Sequence, residues 1–319
     1  MDLLQKLKTF KPNTKEITLK TYIQNLNKLK RSIDGEPIKD NLNFLYKKDD
    51  VEKFLNEYAD NTRKNYLNAI IVSLQAVDGK EDVIKEFIKE RDDVSKKYRE
   101  GKTIGEMNEK EKKNIITFEE WDKIIEKLNQ QIKANKLKKE KNLDLGDYNL
   151  MLRHLILTLY RKYPLRNDFH NMKVITKKES KKELPKDFNY LVITGKGMKF
   201  VLSDYKTAKT YDDINLEVDK KTQKTIRAFL KKSPNSQFLL VDFNGKPFSS
   251  NRLTKFIQRA FSDLLGKKVG SSMLRKSYLS SKYGKVLKEM KKDAKMMGHS
   301  LKVQQEIYTK EDVEKKENI

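Results

Sequence analysis

The chain has no cysteine, which excludes disulfides, zinc–thiolate centres and a cysteine nucleophile together and fits a reducing, intracellular compartment. Histidine is almost as scarce, with three in 319 residues. No apolar run approaches the roughly 20 residues of a membrane span. The opening MDLLQKLKTFKPNTKE lacks the apolar core and small-residue cleavage site of a signal peptide, so neither membrane insertion nor export is expected. No G-x-x-x-x-G-K-[ST] phosphate loop occurs, and no aromatic platform motif supports RNA recognition.

What the chain has is charge. Charged residues make up 36% and hydrophobic ones 37%, and the apolar residues recur periodically, so the composition is polar but folded, with length enough for two domains. The formal net charge is +24, unevenly spread: residues 1–110 carry 23 Lys and Arg against 20 Asp and Glu, residues 111–319 carry 47 against 26. Codon bias toward lysine accounts for part of the total but not for a near-neutral first third. A field of this sign attracts phosphate backbones through counterion release, which makes nucleic acid the favoured partner.

Leu19, Tyr22, Leu26 and Leu29 mark one helix face after a cap expected at Asn13 or Thr14. Tyr66, Leu67, Ile70, Ile71 and Leu74 mark another, and a charged helix follows from Glu81 to Arg99. Residues 1–100 thus read as a small helical bundle. The polar stretch 101–113 reads as a linker, 114–310 as a second domain and 311–319 as a polar tail. Thr117 with Glu120 forms a capping-box pattern opening that second domain. From Tyr190 the period changes: YLVIT, KFVLSDYKT and DDINLEV predict a small three-stranded antiparallel sheet. A further strand is expected around QFLLV, with helices near 219–232, 249–265, 271–282, 285–297 and 301–310. The predicted fold class is mainly α with a small antiparallel β-sheet.

Among the histidines, His154 sits in an apolar helix and His170 has no partner at metal-ligand spacing, so both read as structural. His299 follows Gly298 where a helix ends and the chain turns. Tyr308, nine residues on, reads by itself as an aromatic packing with Ile307 and Val303. Three upstream positions give it a second reading: Arg166 after a Pro-Leu break, Lys206 at the lip of a hairpin, and Arg275 on a Ser/Leu/Tyr helix with Ser272 one turn earlier. A tyrosine attacking a phosphodiester needs charge on the non-bridging oxygens neutralised, which suits two guanidinium forks. The departing 5′ oxygen needs a proton, which a lysine can donate.

These segments resemble the tyrosine recombinase (phage-type integrase) family. MMGHSLKVQQEIYTK is similar to the family's LGH and IYxH signature, with His299 at its histidine and Tyr308 at its nucleophile. Arg166 in PLRNDF and Arg275 in SSMLRKSYLSSKYG match its two arginines, and Lys206 in DYKTAKTY its hairpin lysine. The resemblance covers roughly residues 113 to 310, with a weaker likeness of NTRKNYLNAI to the family's core-binding domain. Two positions depart from it: Ser272 stands where the family has His or Lys, and Phe169 where it has an acidic residue, with Asp168 one position early. Serine cannot serve as the base that His or Lys provides there.

The resemblance implies a helical core-binding domain followed by an α+β catalytic domain, and an enzyme that integrates or recombines DNA for a mobile element or virus through a 3′-phosphotyrosyl link. Tyr308 would be the nucleophile, Lys206 the general acid, and Arg166, Arg275 and His299 the transition-state clamp. Arg63, Lys64 and Lys276 would touch DNA. It implies no cofactor and no metal, the arginines supplying the cationic charge, and double-stranded DNA as partner. It further implies a homo-tetramer on DNA from monomers in solution, in a host cytoplasm or nucleus if viral. A type IB topoisomerase shares this chemistry, and a DNA-binding protein with impaired catalysis is the alternative that Ser272 suggests.

Overall fold

The computed structural model describes residues 2–39, 41–100, 105–208 and 210–309. The tail expected at 311–319, the start of the expected linker and Lys209 lie outside the described residues. The chain forms two compact units, Met1–Glu106 and Met107–Ile319.

The first unit is helical. It comprises α1 (Leu3–Phe10), α2 (Glu16–Asp34), α3 (Lys48–Asn56), α4 (Asp60–Ala76) and α5 (Glu81–Glu100). α2 begins at Glu16 with Lys15 at its N-cap position, one residue past the expected caps, and ends at Gly35, whose left-handed φ of 77° stops the helix. Leu26 and Leu29 of α2 join Leu67, Ile70, Ile71 and Leu74 of α4 in one buried cluster. α4 is buried around most of its circumference, whereas α5 shows the charged outer face of a surface helix.

The second unit opens with α6 (Glu109–Asn114), inside the expected linker, because Asn108 and Glu111 form a reciprocal capping box that starts a helix there. The expected capping box of Thr117 and Glu120 starts α7 (Phe118–Ala134). α8 (Leu145–Lys162) is held to α7 by Trp121, whose indole N–H donates to the Leu157 carbonyl at 3.2 Å. The sheet differs from expectation: it has four strands in the order β1 (Lys173–Thr176), β2 (Asn189–Ile193), β3 (Met198–Leu202) and β4 (Ile214–Glu217). β1 pairs parallel to β2, and the other pairs are antiparallel. The added strand is the short β-branched run KVIT, and residues 177–188 give the length a parallel return needs.

The segment at 237–241 is not a ladder strand; it makes isolated bridges, Lys173 to Phe238 and Val241 to Pro247, while Leu239 and Leu240 fill the core. α9 (Lys220–Leu230) and α10 (Ser250–Leu265) follow. The two helices expected at 271–282 and 285–297 are one, α11 (Ser271–Met296), which runs through Gly284. A single helical glycine costs only about 1 kcal/mol, too little to break a helix of good formers. The expected helix at 301–310 is a single α-turn, Leu301–Val303, followed by a π-helical turn, Gln304–Tyr308. Among the described residues no helix is long and apolar enough to cross a membrane.

Candidate active site

Pro164 ends α8, because the residue before a proline is pushed out of the helical region; Tyr163 takes φ −123°, ψ 87°. The chain then turns tightly and presents Arg166. Among the contacts that fix this loop, the buried Tyr160 hydroxyl donates to the Arg166 carbonyl at 2.5 Å, and the Arg166 backbone N–H donates to Asp168 Oδ2 at 3.0 Å. Phe169, which replaces an acidic residue of the resembled family, is wholly buried against the rings of Tyr160 and Phe200. It anchors the loop as a hydrophobic plug.

Arg275 comes from the second turn of α11. Leu274 and Ser277 on either side of it are fully buried, and Ser277 Oγ accepts the Ile116 N–H at 3.0 Å. That anchorage aims the face bearing Arg275 at the Arg166 loop. Both arginines line one cavity of about 270 Å³ with Asp168, Tyr205 and Thr207. Burial pushes the Asp168 carboxyl upward, opposed by the Arg166 N–H and by the charges of Arg166, His170 and Arg275. One carboxylate and two guanidinium groups thus share a cavity, and their opposite charges attract.

Lys206 is not on a strand: β3 ends at Leu202, and Lys206 is exposed in the turn that follows. Its neighbours Tyr205 and Thr207 line the arginine cavity, so the turn that carries Lys206 forms part of the cavity wall. Ser272, one turn before Arg275, is exposed in the first turn of α11.

His299 owes its place to a Schellman ending of α11. Gly298 takes φ 71°, its N–H donates to the Lys295 carbonyl at 3.3 Å, and the His299 N–H donates to the Ala294 carbonyl at 3.1 Å. Ser300 then caps the next turn by accepting the Val303 N–H at 3.2 Å. Tyr308 ends the π-helical turn, closed by the Thr309 N–H to the Gln304 carbonyl at 2.8 Å. Tyr308 is 64% exposed, so it is not the packed aromatic that its local sequence suggested, and its ring stacks on His299 with centroids 5.0 Å apart. The structure therefore makes two groupings: Arg166, Arg275, Asp168 and the Lys206 turn in one, His299 with Tyr308 in the other. Among the described residues lining the arginine cavity, neither His299 nor Tyr308 is found.

Of the expected DNA contacts, Arg63 has its guanidinium occupied by Glu90 Oε1, at 3.0 and 2.7 Å, and by Asn56 Oδ1 at 2.6 Å. Lys64 is half-exposed, and Lys276 is exposed and paired with Glu111. His154 is buried in α8, and His170 packs its Nδ1–H on the Asn167 carbonyl at 2.8 Å. Among the described residues no group of three or more His, Asp or Glu is placed to hold a metal. Sequence reasoning passed over Tyr160 as a clamp on the Arg166 loop; its only signal was a polar end on a helix otherwise apolar on that face.

No family model matches the sequence, and no curated protein does either. Among solved structures, the chain is similar to the XerA recombinase at 14% identity, covering 98% of this chain and 94% of that one with a TM-score of 0.34. It is similar to the XerH site-specific recombinase, solved bound to its difH substrate in a pre-cleavage complex, at 15% identity, covering 91% and 73% with a TM-score of 0.40. Superpositions this loose carry no functional weight, which rests on the residues themselves.

Proposed function

We propose that this protein is a tyrosine-type site-specific DNA recombinase that cleaves and rejoins duplex DNA through a 3′-phosphotyrosyl intermediate. The observation that carries this reading is the shared cavity of Arg166 and Arg275, lined also by Asp168 and by Tyr205 and Thr207, the neighbours of Lys206 in its turn. A phosphodiester entering that cavity offers two non-bridging oxygens to two planar forks, whose charge grows in value as the pentacoordinate transition state forms. Tyr308 swings off His299, and its hydroxyl oxygen bonds to phosphorus. The phenolic proton passes to water, since the ring is exposed and Ser272 offers no base. The bond from phosphorus to O5′ breaks, and O5′ leaves with a proton from Lys206. His299, uncovered by the same swing, donates to a non-bridging oxygen. Attack of a 5′-hydroxyl on the phosphotyrosine reverses each step, so rejoining needs no nucleotide.

The excess charge of residues 111–319 suits a duplex partner, and exchange between two duplexes takes four cleavages, hence four copies on DNA. The test is covalent trapping on a nicked duplex whose short 5′-hydroxyl fragment diffuses away. Wild-type protein is expected to form a stable protein–DNA adduct and Tyr308→Phe none. Trapping by Tyr308→Phe, or an adduct mapped to Tyr278 or Tyr283, would sink the assignment.

A further inference from the structure

Asn189, the first residue of β2, is wholly buried, where an amide is costly unless all its hydrogen-bonding capacity is met. It is met in full. Nδ2 donates to the Asp168 and Asp204 carbonyls, both at 2.9 Å, and Oδ1 accepts the Ser203 and Asp204 N–H groups, both at 2.9 Å. The amide orientation is unambiguous, because a flip would set two N–H groups against N–H groups and oxygen against two carbonyls.

These four bonds join two segments far apart in sequence. One is the loop that carries Arg166 and Asp168; the other is the first part of the turn that carries Lys206. Three of the bonds go to the turn. Its far side is tied as well, the Tyr205 hydroxyl reaching the Tyr211 and Asp212 carbonyls at 3.2 and 2.9 Å. Lys206 is exposed between these anchors, so its own side chain does little to place it. We propose that Asn189 is a positioning residue, setting the Lys206 turn against the Arg166 loop so that the ammonium meets the leaving oxygen while the guanidinium holds the phosphate. This rests on the strand-transfer reading above.

Aspartate at 189 would keep both accepted bonds and turn the two donated ones into repulsions; alanine would remove all four bonds. The test compares trapping on two nicked duplexes, one with the ordinary scissile phosphate and one with sulfur replacing the 5′-bridging oxygen. A thiolate leaves without a proton, so the sulfur substrate bypasses the general acid. Lys206→Ala is expected to lose roughly 100-fold or more in cleavage on oxygen and to recover on sulfur. Asn189→Ala is expected to follow it, losing at least about 10-fold on oxygen with most of the loss restored on sulfur. Asn189→Asp makes the same comparison if the alanine variant does not fold. Equal losses on both substrates, or no loss on oxygen, would overturn the positioning role while wild-type trapping left the strand-transfer reading standing. Wild-type protein that trapped on neither substrate would remove that reading, and the role of Asn189 with it.

Discussion

The imidazole of His299 lies face to face with the ring of Tyr308, the two planes within 13° of parallel. His299 Nε2 is buried without a hydrogen-bond partner among the described residues, although the Tyr308 ring itself is mostly exposed. The nitrogen that the proposed phosphate contact would use is thus closed to solvent in the stacked arrangement. An aromatic pair of this kind contributes about 0.5–1.5 kcal/mol beyond its area, little enough for phosphate contacts to displace.

The stack sets a first expectation, readable by NMR on the three histidines. The His299 ring protons should be shifted upfield by the Tyr308 ring current in free protein, and Tyr308→Ala should remove the shift. Duplex DNA should do the same to wild type if docking opens the stack. A His299 signal indifferent to both would mean the two rings do not stack in solution.

Much of this geometry was legible in the sequence where a local rule and the tertiary fold agree. Thr117 with Glu120, Gly298 before His299 and Pro164 before Arg166 all act within a few residues, and each does what its chemistry dictates. The misses share a different cause. β1 is four residues long and gains strand form from distant partners, β2 in parallel and the 237–239 segment on its other side, and α11 passes through Gly284 because no second breaker supports a stop. The grouping of Arg166 with Arg275 is carried by long-range contacts such as Ile116 to Ser277, which no spacing reveals.

The arginine pair should separate catalysis from binding. Arg166→Ala and Arg275→Ala are each expected to lower cleavage by several orders of magnitude while duplex affinity falls far less, because the forks act most strongly on the transition state. Arg275→Lys should rescue little, since a point charge cannot grip two oxygens as a planar fork does. Single-turnover cleavage beside a filter-binding isotherm reads both quantities. Parallel losses would make the arginines ordinary phosphate contacts.

Arg63 should behave as a structural residue, contrary to its expected role on DNA. Its fork is already engaged by Glu90 and Asn56 in a half-buried pair. Arg63→Ala is expected to cost about 1–2 kcal/mol of stability, seen as a lower urea midpoint, and to leave the salt dependence of duplex binding unchanged. Lys64→Ala is expected to leave stability alone and make the log–log salt slope shallower by about one, as loss of one phosphate contact should. A shallower slope for Arg63→Ala would return that residue to the DNA-binding face.

His154 links stability to pH. Burial in α8, aided by the Lys138 charge, brings its pKa down from 6.5 to about 4. The folded protein thus keeps the ring neutral in a range where the unfolded chain already takes up a proton. In that window the unfolded state binds more protons, so stability falls as the pH drops from 6.5 toward 4 and loses nothing further from this group below it. The ceiling is about 3 kcal/mol, of which about 2 kcal/mol should be gone at a pH of about 5. Urea midpoints measured at neutral pH and at that acidic pH should therefore diverge more in wild type than in His154→Leu, where the carboxylates titrate as before but this proton has no site. Identical divergence in both proteins would show that the buried imidazole is not the titrating group.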